Sequence, residues 1–83
     1  MWLLMLVKIF TLKNGLETIE DVLAVRIISK DYNLLILKDY ISIIGKVEGK
    51  IEIEYPEHTK SLDNIVGYYV CIDNVFNLMI EGE

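Results

Sequence analysis

The sequence predicts an all-β fold, a small two-sheet β-sandwich of about seven to nine short antiparallel strands that fills residues 1–83 as a single domain. Three observations predict it. About a quarter of the residues are isoleucine or valine, Ala24 is the only alanine, and glutamine is absent, a composition that suits a pleated, half-buried surface better than a helix. Short apolar runs recur along the chain, separated by turn-forming groups at fairly even spacing, which is the punctuation of a sandwich or barrel. Finally, Lys50-Ile51-Glu52-Ile53-Glu54-Tyr55 alternates strictly, with Ile51, Ile53 and Tyr55 on one face and the two glutamates on the other.

Taken in order, the chain opens on an apolar lead-in, Met1 to Leu6, that frays ahead of a strand over Val7 to Leu12. Met1 and Met5 are both available as starts. Seven apolar residues cannot cross a hydrocarbon core, which takes about 20 helical residues, and the small-residue cleavage site of a secretory signal is missing. The chain is therefore expected not to span a membrane and to work in the cytoplasm. Lys13-Asn14-Gly15 gives the strongest hairpin signal, because Asn-Gly readily takes positive φ. A weaker arm follows over Leu16 to Glu20, then a strand over Val22 to Ser29 that ends at Lys30-Asp31-Tyr32-Asn33. Leu34 to Leu37 is continuously apolar and reads as a strand buried on both faces. Ile41 to Ile44 is a short strand or a single helical turn. Gly45 and Gly49 bracket Lys46-Val47-Glu48, and the alternating strand comes next. Pro56 to Ser61 is a loop, because proline cannot donate to a ladder. Tyr68 to Ile72 and Val75 to Ile80 complete the strands, with Asp73-Asn74 turning the chain between them.

Composition narrows the function. Acids outnumber bases 13 to 8, the formal net charge is −5, and Arg26 is the only arginine, which argues against binding a phosphate backbone. The single Cys71 permits no internal disulfide. An apolar share of 53% and a mean hydropathy of +0.38 leave more oily surface than a domain this small can hide by itself, so a covering partner is expected.

Residues with chemical potential are few, and each has a plainer role. Glu52 and Glu54 share a strand face roughly 6–7 Å apart. Paired carboxylates can cleave glycosides, but a solvated strand face explains them without a cleft. His58 is the only histidine, and neither a triad nor a zinc site can be completed around it. Cys71 lies in Tyr69-Val70-Cys71-Ile72, where a thiol packs as a small hydrophobe. Glycines 15, 45, 49, 67 and 82 match no phosphate-binding spacing and read as positive-φ turns and bulges. The rings of Tyr32, Tyr40, Tyr55, Tyr68, Tyr69 and Phe76 lack the basic groove that base stacking accompanies. The expectation is a non-catalytic protein with no metal, no cofactor, no small-molecule substrate and no nucleic-acid partner.

From Val22 onward the feature order resembles the N-terminal β-sandwich domain of the epsilon subunit of F-type ATP synthases. Three stretches carry the resemblance. Val22 to Ile28 followed by Asp31 to Tyr40 is similar to that family's strand, turn and strand leading into a Gly-Ile-Leu-Pro-x-His loop. Val47-Glu48-Gly49-Lys50-Ile51-Glu52-Ile53 is similar to its Lys-x-Gly-x-Ile-x-Ile strand, and Ile65 to Val75 to its Ile-x-Gly-Gly-Phe hairpin. Here Leu35 replaces the family's glycine, Lys38 its proline and Tyr40 its histidine, while Gly67-Tyr68 replaces Gly-Gly. The sequence ends at Glu83, where typical members continue into two C-terminal helices. The resemblance implies a docking subunit without that helical part, seated on the stalk and ring of a rotary ATPase. Asn33, Lys38, Asp39 and Tyr40 would lie on its ring-facing edge. The residues alone are equally well read as a free-standing β module, regulatory or self-associating, in a mobile-element or phage setting.

Overall fold

The computed structural model describes residues 4–81, and every described element is a strand: β1 (Met5–Thr11), β2 (Gly15–Val22), β3 (Ala24–Ser29), β4 (Asn33–Leu37), β5 (Ile43–Glu54), β6 (Thr59–Ile72) and β7 (Val75–Glu81). Their order in the sheet is β2-β1-β7-β6-β5-β3-β4. The all-β class stands, but two details of the expected architecture change. Hydrogen bonding runs unbroken through all seven strands, so one sheet replaces the two expected. β1 also pairs β7 in parallel, from Leu6↔Val75 to Thr11↔Ile80, while every other pair is antiparallel.

Two long strands make this continuity possible. Residues 43–48 of β5 pair with 66–71 of β6, while 51–54 pair with 59–62. A register shift between Gly49 and Ile51 separates these two ladders. Gly49 has φ +152°, and a Cβ there would run into the Ile28 carbonyl, so only glycine makes the bend. The bend divides the sheet into two leaves. The first is β2, β1, β7 and the adjoining halves of β6 and β5; the second is β4, β3 and the other halves. Contacts between strands distant in the sheet order show it curling over on itself. Lys60 Nζ of β6 donates to Glu17 Oε2 of β2 at 2.9 Å, and Tyr32, between β3 and β4, meets Tyr69 of β6.

One core fills the fold. Met5, Val7 and Ile9 of β1, Phe76, Leu78 and Ile80 of β7, Val25 and Ile27 of β3, Ile36 of β4, Val47, Ile51 and Ile53 of β5, and Ile65, Tyr69 and Cys71 of β6 form a single buried cluster. Alternation places them. The β7 pattern, buried at Phe76, Leu78 and Ile80 and open at Asn77 and Met79, is the period of two that one buried face demands.

Several boundaries move. Met5 is buried and Met5 and Leu6 belong to β1, so these lead-in residues are not frayed, while Met1 to Leu3 and Gly82 lie outside the described residues. The run from Val22 to Ser29 breaks at Leu23, whose N–H donates to the Glu54 carbonyl at 2.8 Å. There the chain leaves its pairing with β1 and joins β5 on the other leaf. Ile41 to Ile44 forms no helical turn; β5 starts at Ile43 and runs on through Gly45 and Gly49. The expected loop at Pro56 to Ser61 shortens, because β6 already begins at Thr59. β4 is not buried on both faces. It pairs only with β3 and buries Ile36 alone, with Leu35 and Leu37 open to solvent. Gly45 and Gly67 do not take positive φ. They make room instead, Gly45 for the Tyr69 ring and Gly67 for the Met79 carbonyl.

Candidate interaction face

The two leaves have different outer surfaces. On the first, paired register aligns Leu16, Phe10, Met79 and Tyr68 across β2, β1, β7 and β6. Residues opposite one another in a ladder point to the same side, so these four make one continuous apolar row. Lys46 of β5 closes it, its ammonium 5.9 Å from the Tyr68 ring centre. A shallow groove of about 210 Å³ follows the row, bounded also by Lys8, Val70 and Asn77. Ile44, opposite Val70, and Ile72, opposite Val75, widen the apolar surface toward one end. Leu12, 88% exposed at the tip of the β1–β2 hairpin, widens it toward the other. An apolar patch spread over several strands marks a surface made to meet something.

The second leaf is largely ionic outside. Arg26 lies opposite Glu52; its Nε is 3.6 Å from Glu52 Oε1 and its Nη2 donates to Glu54 Oε2 at 3.4 Å. Lys50 reaches the other oxygen of Glu52 at 3.3 Å. The two glutamates are thus partnered by cations on an open strand face. Half-exposed pairs of this kind contribute about 0–1 kcal/mol each.

The residues expected at an interface fall in two places. Asn33 opens β4, and Lys38 follows its last residue. Five residue steps, about 16 Å at 3.3 Å each, separate them. Lys38 and Asp39 are exposed, whereas Tyr40 is half-buried and packs against the core. The 38–42 loop is held by Asn74. Asp39 donates its N–H to Asn74 Oδ1 at 2.6 Å, and Asn74 Nδ2 donates to Asp39 Oδ1 at 3.1 Å. The Asn74 carbonyl also accepts the Leu6 N–H at 2.9 Å, so one asparagine joins the start of β1, the β6–β7 turn and this loop. Asp39, Asp73 and Asn74 all have positive φ, which aspartate and asparagine tolerate better than most residues. Asp73-Asn74 was legible as a turn; its clamp on a loop 35 positions away has no local signal.

Beneath the face lies a tyrosine pair. Tyr32 Oη donates to the Lys46 carbonyl at 2.5 Å. Its one proton is thereby committed, so the Tyr69 hydroxyl donates to Tyr32 Oη at 2.8 Å. Burial, followed by this hydrogen bond, pushes the Tyr69 hydroxyl far above the usual tyrosine range. Burial likewise raises the Cys71 thiol, against the thiolate a nucleophile would need. His58 is exposed and meets Tyr55 edge-on, ring centres 4.4 Å apart. Among the described residues, no three histidine, cysteine, aspartate or glutamate side chains come together as a metal site.

No family model matches the chain, and no curated protein matches it. The fold, however, is shared with solved structures. The chain is similar to one in the cryo-EM structure of the Tetrahymena thermophila mitochondrial ATP synthase central stalk and c-ring, with a TM-score of 0.71 over 94% of its length at 13% identity. It spans 63% of that chain. At this identity the likeness is one of fold: a strand arrangement found in a rotary ATPase stalk assembly.

Proposed function

We propose that this chain is a non-catalytic docking subunit that seats the outer face of its first leaf on a protein of a rotary ATPase central stalk. The observation that carries the reading is the apolar row Leu16, Phe10, Met79 and Tyr68, continuous across four strands, set against the ionic exterior of the second leaf. The fold shared with a stalk assembly and the family resemblance of the sequence support it. Phe10 and Tyr68 are the anchors, because aromatic side chains dominate the energetics of such contacts. Asp39 is tied to Asn74 of the β6–β7 turn, and the resemblance would set it and Lys38 on the side facing the ring. Asn33, at the far end of β4, stands apart from them. On this reading the subunit is cytoplasmic and peripheral to the membrane through its complex, an epsilon-like part.

Affinity purification of the tagged chain from its own cells, with mass spectrometry of what it retains, tests the proposal. Stalk and ring subunits are expected, and Phe10→Glu or Met79→Glu should reduce their recovery at least tenfold while leaving the far-ultraviolet spectrum unchanged. A loss of about 2 kcal/mol per anchor corresponds to roughly 30-fold in affinity. Recovery without any stalk or ring subunit would overturn the reading in favour of a self-contained module.

A further inference from the structure

We infer that β4 is a self-pairing edge through which two copies of this chain join into one continuous sheet. The inference starts from how the free edges are treated. β2 carries Glu17, Glu20 and Asp21, lies opposite a register shift in β1, and has Lys60 clasped to Glu17. The open side of β5 is capped by the β3–β4 turn: Ser29 Oγ accepts the Glu48 N–H at 3.0 Å, Lys30 donates its N–H to the Glu48 carbonyl at 3.0 Å, and Tyr32 covers the Lys46 carbonyl. Charges, bulges and covers are the usual means of blocking edge pairing. β4, Asn-Leu-Leu-Ile-Leu, has none of them. It contains no charge and no proline, and its ladder with β3 runs without a shift from Ala24↔Leu37 to Ile28↔Asn33.

The backbone geometry specifies the register. Ser29 and Tyr32 exchange N–H donations across the β3–β4 turn, at 2.8 and 3.3 Å. Antiparallel ladders alternate bonded and non-bonded pairs, so Leu34 and Ile36 bond to β3, while Asn33, Leu35 and Leu37 direct their N–H and C=O groups away from it. Of these, the Leu37 carbonyl takes the Tyr40 N–H at 3.1 Å. A two-fold axis at Leu35 sets Leu35 against Leu35 and Leu37 against Asn33 of the second copy. Four ladder bonds then form from the remaining groups: two between the Leu35 pair, and two from Leu37 N–H to the Asn33 carbonyl. The same register preserves the faces, as an even offset must. Leu34 meets Ile36 on the core side, and Leu35 meets Leu35 outside, hiding apolar surface that the monomer leaves open. In this register the Lys38-Asp39 end of each β4 runs toward the Lys30-Asp31 turn of the other copy, with Lys38 across from Tyr32 and Asp39 across from Asp31. That set of four charges is neutral, so the chain's net −5 does not concentrate at the joint. β4 belongs to the second leaf, and the inference does not rest on the docking reading.

Sedimentation equilibrium at micromolar concentration is expected to give a mass about twice the 9.6 kDa of the chain. Leu35→Lys should halve that mass with an unchanged circular dichroism spectrum. Leu35→Cys tests the register directly. The two Leu35 Cα atoms of a bonded pair lie about 5.5 Å apart, within reach of a disulfide, so oxidation should yield a covalent dimer. The native Cys71 is buried, and Leu16→Cys on β2 serves as the control that stays monomeric on a non-reducing gel. A monomeric wild type, a dimer that persists in Leu35→Lys, or cross-linking at Leu16 rather than Leu35 would overturn the inference.

Discussion

At the scale of the residue, Tyr69 concentrates much of the fold's specificity. It stacks on Phe76 with ring centres 5.5 Å apart, fills the space that Gly45 leaves open, and donates its hydroxyl proton to Tyr32. Its hydroxyl is held protonated in the fold well beyond the usual tyrosine value of about 10. The unfolded chain releases that proton sooner. At alkaline pH the folded state therefore binds more protons than the unfolded state, and the free energy of unfolding falls as pH rises. The contribution is complete below the ordinary tyrosine value and declines above it; Cys71, raised by burial, contributes with the same sign above the ordinary thiol range. Urea unfolding between pH 7 and 11 should show wild-type stability declining more steeply than that of Tyr69→Phe. Equal slopes would remove Tyr69 as the cause. That Tyr69 lies in a strand was legible in sequence, but its partner 37 positions away was not.

At the scale of the element, the turns do more than reverse the chain. Asn74 supplies a left-handed backbone to the β6–β7 turn and a side-chain clamp to the 38–42 loop. These two roles can be separated. Asn74→Gly keeps the backbone freedom and loses the clamp, whereas Asn74→Ala loses both. We expect Asn74→Gly to cost about 1 kcal/mol, the net value of lost hydrogen bonds, and Asn74→Ala about 1 kcal/mol more for the strained φ, read as shifts in denaturation midpoint. Similar losses in the two variants would mean that the turn conformation contributes little. Strand alternation was readable over residues 50–54 of β5 because that stretch buries one face. β4 misled because a continuous apolar run is the signature of a strand covered on both faces, and whether a neighbour lies alongside is not encoded in the run itself.

At the scale of the whole molecule, stability depends on pairing the two ends of the chain. β1 and β7 lie side by side in parallel, and β7 joins β1 to β6, so the first leaf has no centre without the last strand. Ending the chain after Asp73 should therefore abolish cooperative unfolding altogether, because Val7, Ile9 and Tyr69 would lose Phe76, Leu78 and Ile80 from their shared core. A sigmoidal melt of the truncated chain would show that the rest suffices. The asymmetry of the exterior also belongs to this scale. Outward residues alternate with core residues along β1 and β7, but only the curl of the sheet gathers Leu16, Phe10, Met79 and Tyr68 on one face and Arg26, Glu52 and Glu54 on another.

The sequence by itself determined the all-β class, most of the strands and the Asn-Gly and Asp-Asn turns, because side-chain alternation and turn chemistry are properties of neighbouring residues. Only the tertiary structure decided that the leaves are one sheet, that β1 runs parallel to β7, and that β4 lies at an open edge. Those outcomes depend on which strands meet, and pairing between segments far apart in the chain is set by how the complete core closes rather than by any local pattern.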